Sequence, residues 1–302
     1  MSRSFDPVQL GSIEMFCKAA ELQGFTAAAH ALGVTAAAVS RSVGRLEERL
    51  GAKLFTRTTR LMRLTEEGRA YFEQCRQALA QIENAERAIN GSQAEPAGLL
   101  RISMPTTYGH YRVLPRLPQF MAQYPKVKVE LDLSNRNIDF VEDGFDLAIR
   151  AGTPVDSRLV ARKLEDATFG IFAAPQYLAR RGTPQTPAQL QDHDCIEFVM
   201  PSTGRGLPWV FLQDGQDSDV VVQSRVSLQG DLLGCMSYAI GGGGLLQAYH
   251  FVAQRHVQSG ALVEVLQAFA GRSRSFSILY PHNRHLSAKV RAFVGFLLGP
   301  SA

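Results

Sequence analysis

The chain has 302 residues, of which 45% are hydrophobic and 20% charged, with a formal net charge of +4; that length exceeds what one core usually holds and predicts more than one domain. Its four cysteines, Cys17, Cys75, Cys195 and Cys235, form no CxxC pair and no zinc-like spacing, which argues against a disulfide framework or a zinc finger. The opening MSRSFDPVQL has no apolar signal region and no stretch approaches the length of a membrane span, so the expectation is a cytoplasmic protein with no membrane partner.

Ile13, Phe16, Cys17 and Ala20 recur at the i, i+3, i+4, i+7 spacing of one helix face and predict a first helix. Thr26 sits where an N-cap belongs, its hydroxyl accepting from the N–H of Ala28 or Ala29, and Gly33 supplies the turn that ends this short second helix. Thr35 caps a third helix. There Val39, Val43, Leu46 and Leu50 form the core-facing stripe, while Ala36, Ala37, Ser40, Arg41 and Arg45 are left on outward faces, and Gly51 stops the helix. Lys53, Leu54 and Phe55, a polar tip over residues 56–60 and a return over 61–64 predict a small β-wing whose tip carries Arg57 and Arg60.

Two short helices around a tight turn, followed by a basic wing, make a winged helix-turn-helix, which sets its second helix into the major groove of double-stranded DNA. Charge agrees: basic residues stand at 41, 45, 49, 53, 57, 60 and 63 against only Glu47 and Glu48, an excess suited to releasing counterions from phosphate. The plainer reading of the same residues is an Ala-rich helical hairpin that never touches DNA. Arg45 can equally pair with Glu48 along the exposed face.

Beyond Thr65 helix breakers are few, and Phe72, Cys75, Leu79, Ile82 and Ile89 follow a three-four rhythm interrupted at Glu86, which predicts a long amphipathic helix over residues 66–90. Such a seam either packs on its own domain or meets a second copy; dimerisation is the expectation, with two heads reading half-sites related by a two-fold axis. Residues 91–98, GSQAEPAG, read as a hinge. Short strands and helices then alternate: LLRIS, a helix after Tyr108, VKVELDLS, a helix near Asn137, and DLAIR. That order predicts parallel strands with a ligand crevice at their carboxyl ends. Thr106 and Thr107 follow the first strand, Ser134 and Asn135 end the second, and Arg150 ends the third, so all converge on one edge. The threonines suit either an anion or ordinary capping, and Arg150 either clamps an anion or pairs with a residue such as Asp146.

These segments resemble the LysR-type transcriptional regulators, through RLEERLGAKLFTRTTR in the wing, MRLTEEGRAYFEQC in the linker helix, DFVEDGFDLAIRAG in the sensor domain, and HDCIEF with a later PWVF and YPHNRHLSAKVRAFVGFL. The resemblance covers nearly the whole chain. It implies an N-terminal mainly-α winged helix-turn-helix with a long linker helix, then an α/β two-lobed, periplasmic-binding-protein-like effector domain. The expected divisions are a DNA-binding domain at 1–65, a linker and dimerisation helix at 66–90, the hinge at 91–98 and an effector domain at 99–302. Within the last, lobe I comprises 99–167 and 272–302 and lobe II 168–271, the chain crossing out near Thr168 and back near Arg272, with a closing helix over 286–298.

By the same resemblance Thr35, Ala36, Ala37, Ser40 and Arg41 open the recognition helix, and with Thr26, Arg45, Arg57 and Arg60 they make up the expected DNA-contacting set. Arg41 is the candidate for a bidentate contact to guanine or a phosphate clamp. Phe198, Gly230 and Asp231 match the family's pocket rim, completing an effector set with Thr106, Thr107, Ser134, Asn135 and Arg150; Asp231 is equally an N-cap. The implied partners are DNA, a small-molecule effector of anionic character, further copies of the chain as a dimer or dimer of dimers (a homotetramer), and RNA polymerase.

Other motifs carry less. Gly241, Gly242, Gly243 and Gly244 lack the lysine of a phosphate loop and read as a turn; the family often has a proline shortly after, where this chain has Gln247. His282 and His285 lack a nearby carboxylate or thiol, and Cys235 beside Asp231 is either a pocket thiol that senses oxidants or a buried apolar one. No nucleophile elbow, HExxH or P-loop lysine is present, so neither catalytic residues nor a cofactor or metal is expected. The readings set against an effector-controlled regulator are a constitutive DNA-architectural protein with a degenerate sensor and an enzyme built on the two lobes.

Overall fold

A computed structural model describes residues 8–57, 62–89, 95–140, 142–152, 158–282 and 286–299. They divide into two compact units on either side of residues 94 and 95.

The first unit opens with α1 (Val8–Glu21), α2 (Phe25–Leu32) and α3 (Ala36–Leu50). Helix α2 ends at Gly33, whose φ of 68° is left-handed, and Gly51 repeats that cap after α3 with φ 67°. Such a backbone favours a residue without a Cβ. Thr35 caps α3, its hydroxyl accepting from Ala38 N–H at 3.2 Å. The expected cap at Thr26 is corrected: α2 begins one residue earlier, at Phe25, with Gly24 as its N-cap and no side-chain cap bond. The Gly24 carbonyl accepts from Ala28 N–H at 3.0 Å, which leaves Thr26 inside the first turn and exposed.

Phe16, Val39, Val43, Leu46 and Leu54 fill the core of this unit. The Phe16 ring meets those of Phe55, Tyr71 and Phe72 at centroid distances of 5.4, 5.6 and 6.3 Å. Leu50, expected in the α3 stripe, is instead 40% exposed because the helix ends there. Strands β1 (Phe55–Arg57) and β2 (Met62–Leu64) form an antiparallel wing with Phe55 opposite Leu64. Glu47 fastens the wing to α3: one carboxylate oxygen accepts from the N–H groups of Leu54 and Phe55 at 2.9 and 3.3 Å, and the other accepts from Lys53 Nζ at 2.8 Å.

Helix α4 (Glu66–Ile89) is the expected long helix. Its first turns do not run free, because Tyr71, Phe72, Cys75 and Leu79 pack into the core of this same unit. The predicted seam is therefore divided. Its first half is used within the chain, while Ile82 is 38% exposed; the side chain of Ile89 is not described. Residues 91–94 of the expected hinge lie outside the described residues, and Gly98 already belongs to a strand.

The second unit runs β3 (Gly98–Met104), α5 (Thr106–Tyr108) continuing into a π-helical turn at Gly109–Val113, α6 (Leu117–Gln123), β4 (Val127–Leu133) and β5 (Leu147–Ala151). There follow β6 (Leu159–Ala173), α7 (Pro175–Arg181), β7 (Cys195–Val199), the hairpin β8 (Trp209–Gln213) and β9 (Gln216–Val220), and β10 (Ser224–Gln229). It closes with α8 (Leu232–Ile240), β11 (Leu246–Tyr249), α9 (His250–Gln258), β12 (Val263–Val265), β13 (Ser273–Pro281) and α10 (Ala288–Leu298). A helix expected near Asn137 is not formed over the described residues 134–140 and 142–146. Aspartate side chains take the backbone donors there: Asp143 accepts from Asp139 N–H at 2.9 Å and Asp139 from Glu142 N–H at 3.0 Å, a local alternative to helix bonds.

The main sheet has the order β11-β6-β13-β5-β3-β4, with β12 also paired to β6. Strand β3 is parallel to both β4 and β5, as the alternating pattern predicts, whereas β13 returns antiparallel to β5 and β6. Two lobes result, and β6 passes through both, with β13 paired to it from the crossing onward. At the crossing Ser273 lies opposite Thr168, and Phe169 N–H donates to the Arg272 carbonyl at 3.1 Å. One lobe packs Leu100, Ile102, Phe120 and Phe293; the other packs Tyr177, Leu190, Trp209 and Phe211. Helix α10 is anchored on the first by Lys289, whose buried ammonium donates to Asp146 at 2.8 Å and to the Leu99 carbonyl.

Candidate functional site

In the first unit α3 is held against α1 by its apolar stripe and by Ser42, whose hydroxyl donates to that of Ser12 at 2.9 Å. This grip turns Thr35, Ala37, Arg41 and Arg45 outward and exposed, while Ala36 and Ser40 are half-buried. Neither Arg41 nor Arg45 bonds to another described residue, so Glu48 does not take up Arg45 and both guanidinium groups are open to an external anion. Arg57 closes β1 but its side chain is not described, and Arg60 lies outside the described residues.

In the second unit a cavity of about 450 Å3 lies between the lobes, at the carboxyl ends of β3, β4 and β5. Of the eight expected residues, Thr107, Asn135, Arg150 and Phe198 line it; Thr106, Ser134, Gly230 and Asp231 do not. The Thr106 hydroxyl donates to the Leu133 carbonyl at 3.2 Å, and that of Ser134 to Asp132 at 2.8 Å. Asp231 caps α8 by accepting from Gly234 N–H at 2.9 Å. Gly230 offers its carbonyl to Asn135 Nδ2 at 2.8 Å, a bond from one lobe to the other.

Arg150 is a half-buried cation of the cavity. Its guanidinium donates to the Ile149 carbonyl at 2.7 Å, to Ser103 Oγ at 2.8 Å and to the Arg136 carbonyl at 3.2 Å. It makes no ion pair with a described residue, since Asp146 belongs to Lys289. Burial lowers its pKa to about 10, partly opposed by the nearby Asp132 carboxylate, so it remains a cation at neutral pH.

Several lining residues carry no strand-end signal in the sequence: Leu207, Pro208 and Trp209 before and within β8, Tyr249 on β11, and Arg274 and Phe276 on β13. They come from antiparallel strands and a loop, and only long-range pairing brings them to the same edge. Gln247 is different, because its departure from the family's proline marks it. The structure gives the reason for a glutamine: its amide accepts from Val210 N–H and donates to the Val210 carbonyl, both at 2.9 Å. One side chain thus completes the backbone bonding of β8 and fixes the wall formed by residues 207–210. Gln247→Ala is expected to strip both bonds and lower stability by about 1–3 kcal/mol, read as an earlier urea midpoint; an unchanged midpoint would show the wall held by packing alone.

The glycine run is a turn between α8 and β11, as expected, and a Cβ on Gly244 would stand 2.2 Å from the Asp194 carbonyl oxygen. Cys235 is fully buried on α8, and burial followed by the Asp231 charge pushes its thiol up to about 12, which suits a packing role. His285 lies outside the described residues.

The comparisons with known proteins agree across the whole chain. Residues 10–69 match the family model described as bacterial regulatory helix-turn-helix protein, lysR family, and residues 93–299 match the LysR substrate binding domain. The chain is 35% identical to an HTH-type transcriptional repressor of Pseudomonas aeruginosa, over 96% of its own length and 91% of the relative's. It is 32% identical to the transcriptional regulator CrgA of Neisseria meningitidis, over 95% of each. The solved structure of CrgA, at 29% identity, superposes with a TM-score of 0.62 over 99% of this chain and 98% of that one. The full-length virulence activator AphB of Vibrio cholerae, at 26% identity, does so with a TM-score of 0.63 over 97% and 99%.

Proposed function

The chain belongs to the LysR family of helix-turn-helix transcriptional regulators, and from that premise we propose that it is a sequence-specific DNA-binding regulator controlled by a small anionic effector held between its lobes. The observation that carries the effector reading is Arg150, a guanidinium in the wall of the interlobe cavity with no carboxylate partner among the described residues. Removing that cation from water costs free energy that the nearby Asp132 and Asp143 carboxylates offset only in part, and a ligand anion bonded to it offsets more. Effector binding changes the set of the lobes, and the paired heads respond.

The DNA-contacting surface is the exposed face of α3, led by Thr35, Ala37, Arg41 and Arg45, with Ala36, Ser40 and the exposed Thr26 beside it and Arg57 and Arg60 on the wing. Copies associate through the distal half of α4, where Ile82 is exposed, into a dimer or a dimer of dimers, and RNA polymerase is the further partner. Residues 1–65 serve as the DNA-binding domain, 66–90 as the linker and 99–302 as the effector domain. No described helix is long and apolar enough to cross a membrane, and the place of action is the cytoplasm.

Footprinting of the tagged protein across the genome, followed by anisotropy titration of the recovered site, tests the reading. A discrete two-fold symmetric site supports it, and diffuse binding without preference favours the architectural alternative. Arg41→Ala is expected to weaken binding to that site by about 1–3 kcal/mol, on the order of tenfold to a hundredfold; normal affinity would remove Arg41 from the interface.

A further inference from the structure

The interlobe cavity is chemically one-sided. Its described lining holds two cations, Arg150 and Arg274, and no Asp, Glu, Lys or His. Two of its amides are already committed. The Gln247 amide is spent on Val210, and Asn135 Nδ2 on the Gly230 carbonyl. Arg274 lies over the Phe169 ring at 5.7 Å.

Two groups are not. Arg150 makes three hydrogen bonds where a guanidinium has about five N–H donors, so two remain unspent. Thr107 is only 3% exposed, lines the cavity, and its hydroxyl bonds no described residue. Both sit at the same end. Arg150 closes β5, Thr107 follows β3, and Ser103 on β3 bonds Arg150 at 2.8 Å and so joins the two strands' ends. The opposite wall is apolar, formed by Phe198, Leu207, Trp209, Leu232 and Tyr249.

We infer that this cavity takes an amphipathic monocarboxylate, its carboxylate on Arg150 and the Thr107 hydroxyl and its ring or branched hydrocarbon body against Phe198, Trp209 and Tyr249. The inference rests on the effector reading above and adds the ligand's chemistry to it. A carboxylate matches the fork of a guanidinium and accepts from a hydroxyl with its remaining lone pairs. The apolar body displaces water from the far wall, which favours binding in proportion to the apolar area removed from solvent. An inorganic anion leaves that wall wet, a cation meets two guanidinium groups, and a dianion needs its second charge at Arg274, which lies against the Phe169 ring. The volume of about 450 Å3 lies at the small end of ligand pockets, which suits a single ring with a short chain.

The chain carries its own reporter, because Trp209 is its single tryptophan and lines the cavity. Trp209 fluorescence of the full-length protein would be followed during titration with phenylacetate, 4-methylpentanoate, phenylacetamide, phenethylamine, 1,4-phenylenediacetate and inorganic phosphate. The expected result is a saturable change with the two monocarboxylates, at least about tenfold tighter than with the amide, and none with phosphate or the amine. Arg150→Gln should abolish the preference for acid over amide, and Thr107→Val should weaken the acid several-fold while sparing the amide. If Arg150→Gln does not fold, Thr107→Val alone carries the residue-level test. Equal binding of the amide, the amine, the dianion or phosphate overturns the inference. So does acid preference that survives in a folded Arg150→Gln variant, a Thr107→Val variant that binds acid as wild type, or the absence of any response to both monocarboxylates.

Anisotropy on the footprinted site separates this inference from the reading it rests on. A neutral probe that binds and shifts DNA affinity removes the monocarboxylate and keeps the effector. A monocarboxylate that binds without altering DNA affinity keeps the ligand class and removes the effector role.

Discussion

Glu47→Ala is expected to loosen the wing from the recognition helix and destabilise the first unit by about 2–5 kcal/mol. The side chain is 4% exposed, and its two oxygens serve three donors: the backbone N–H groups of Leu54 and Phe55 and the Lys53 ammonium. Alanine strands both backbone donors beside Leu54 and Phe55, which are buried. Burial by itself pushes the Glu47 carboxyl up, but the bonds from Lys53, Leu54 and Phe55 outweigh it and the net shift is downward. A carboxyl whose folded pKa is depressed contributes stability that is present above its unfolded pKa and lost as pH falls through the folded value. The wild-type urea midpoint should therefore drop through the acid end of the carboxylate range, and Glu47→Gln should show a lower midpoint at neutral pH with a flatter acid limb. Identical pH profiles for the two proteins would show that Glu47 does not hold the wing.

Lys289→Ala is expected to cost the second unit about 3–5 kcal/mol, the usual range for breaking a buried ion pair from one side. Lys289 is 6% exposed. It joins three separate parts of the lobe: α10, the Leu99 carbonyl on β3, and Asp146 immediately before β5. Without it the Asp146 carboxylate keeps the Arg101 N–H at 2.8 Å but loses its counter-charge. Pairing Lys289→Met with Asp146→Asn removes both charges and retains an aliphatic stem, so the double variant should unfold closer to wild type than Lys289→Ala. If the double variant is the less stable, the ammonium acts through its bond to Leu99 and not through the ion pair.

The sequence is most legible where local chemistry decides the outcome. Thr35, Gly33 and Gly51 punctuate α2 and α3 because caps depend on one residue's hydroxyl or one residue's φ. The parallel pairing of β3 with β4 and β5 follows from alternating strands and helices. Legibility fails where a neighbour offers a competing partner. Gly24 supplies the carbonyl that starts α2, so Thr26 is not needed as a cap. Asp139 and Asp143 take the N–H groups that a helix near Asn137 would have used.

The linker seam shows a third kind of failure, since periodicity identifies an apolar face but not its partner, and Phe72, Cys75 and Leu79 pack on the chain's own head. The cavity divides in the same way. Thr107, Asn135 and Arg150 were visible from strand ends, whereas Tyr249 and Phe276 reach the cavity through antiparallel pairings tens of residues apart and Trp209 through the bonds of its neighbour Val210 to Gln247. The Gln247 amide was visible only as an anomaly, because the side chain's role is to stand in for a strand.

The continuity of β6 across the lobe boundary, with β13 bonded to it from the crossing onward, has a mechanical consequence. The two strands are paired from Ser273 opposite Thr168 to Pro281 opposite Leu159, with a bulge between Phe276 and Ser277. A single-chain linker would let the lobes swing freely, but a hydrogen-bonded ribbon stores elastic strain when it is twisted and exerts a restoring torque. A change of lobe angle therefore works against a spring, and under the effector reading proposed above its extent is bounded by the few kilocalories a ligand's differential affinity supplies. When the load is removed, the stored strain returns the lobes to rest without any further input.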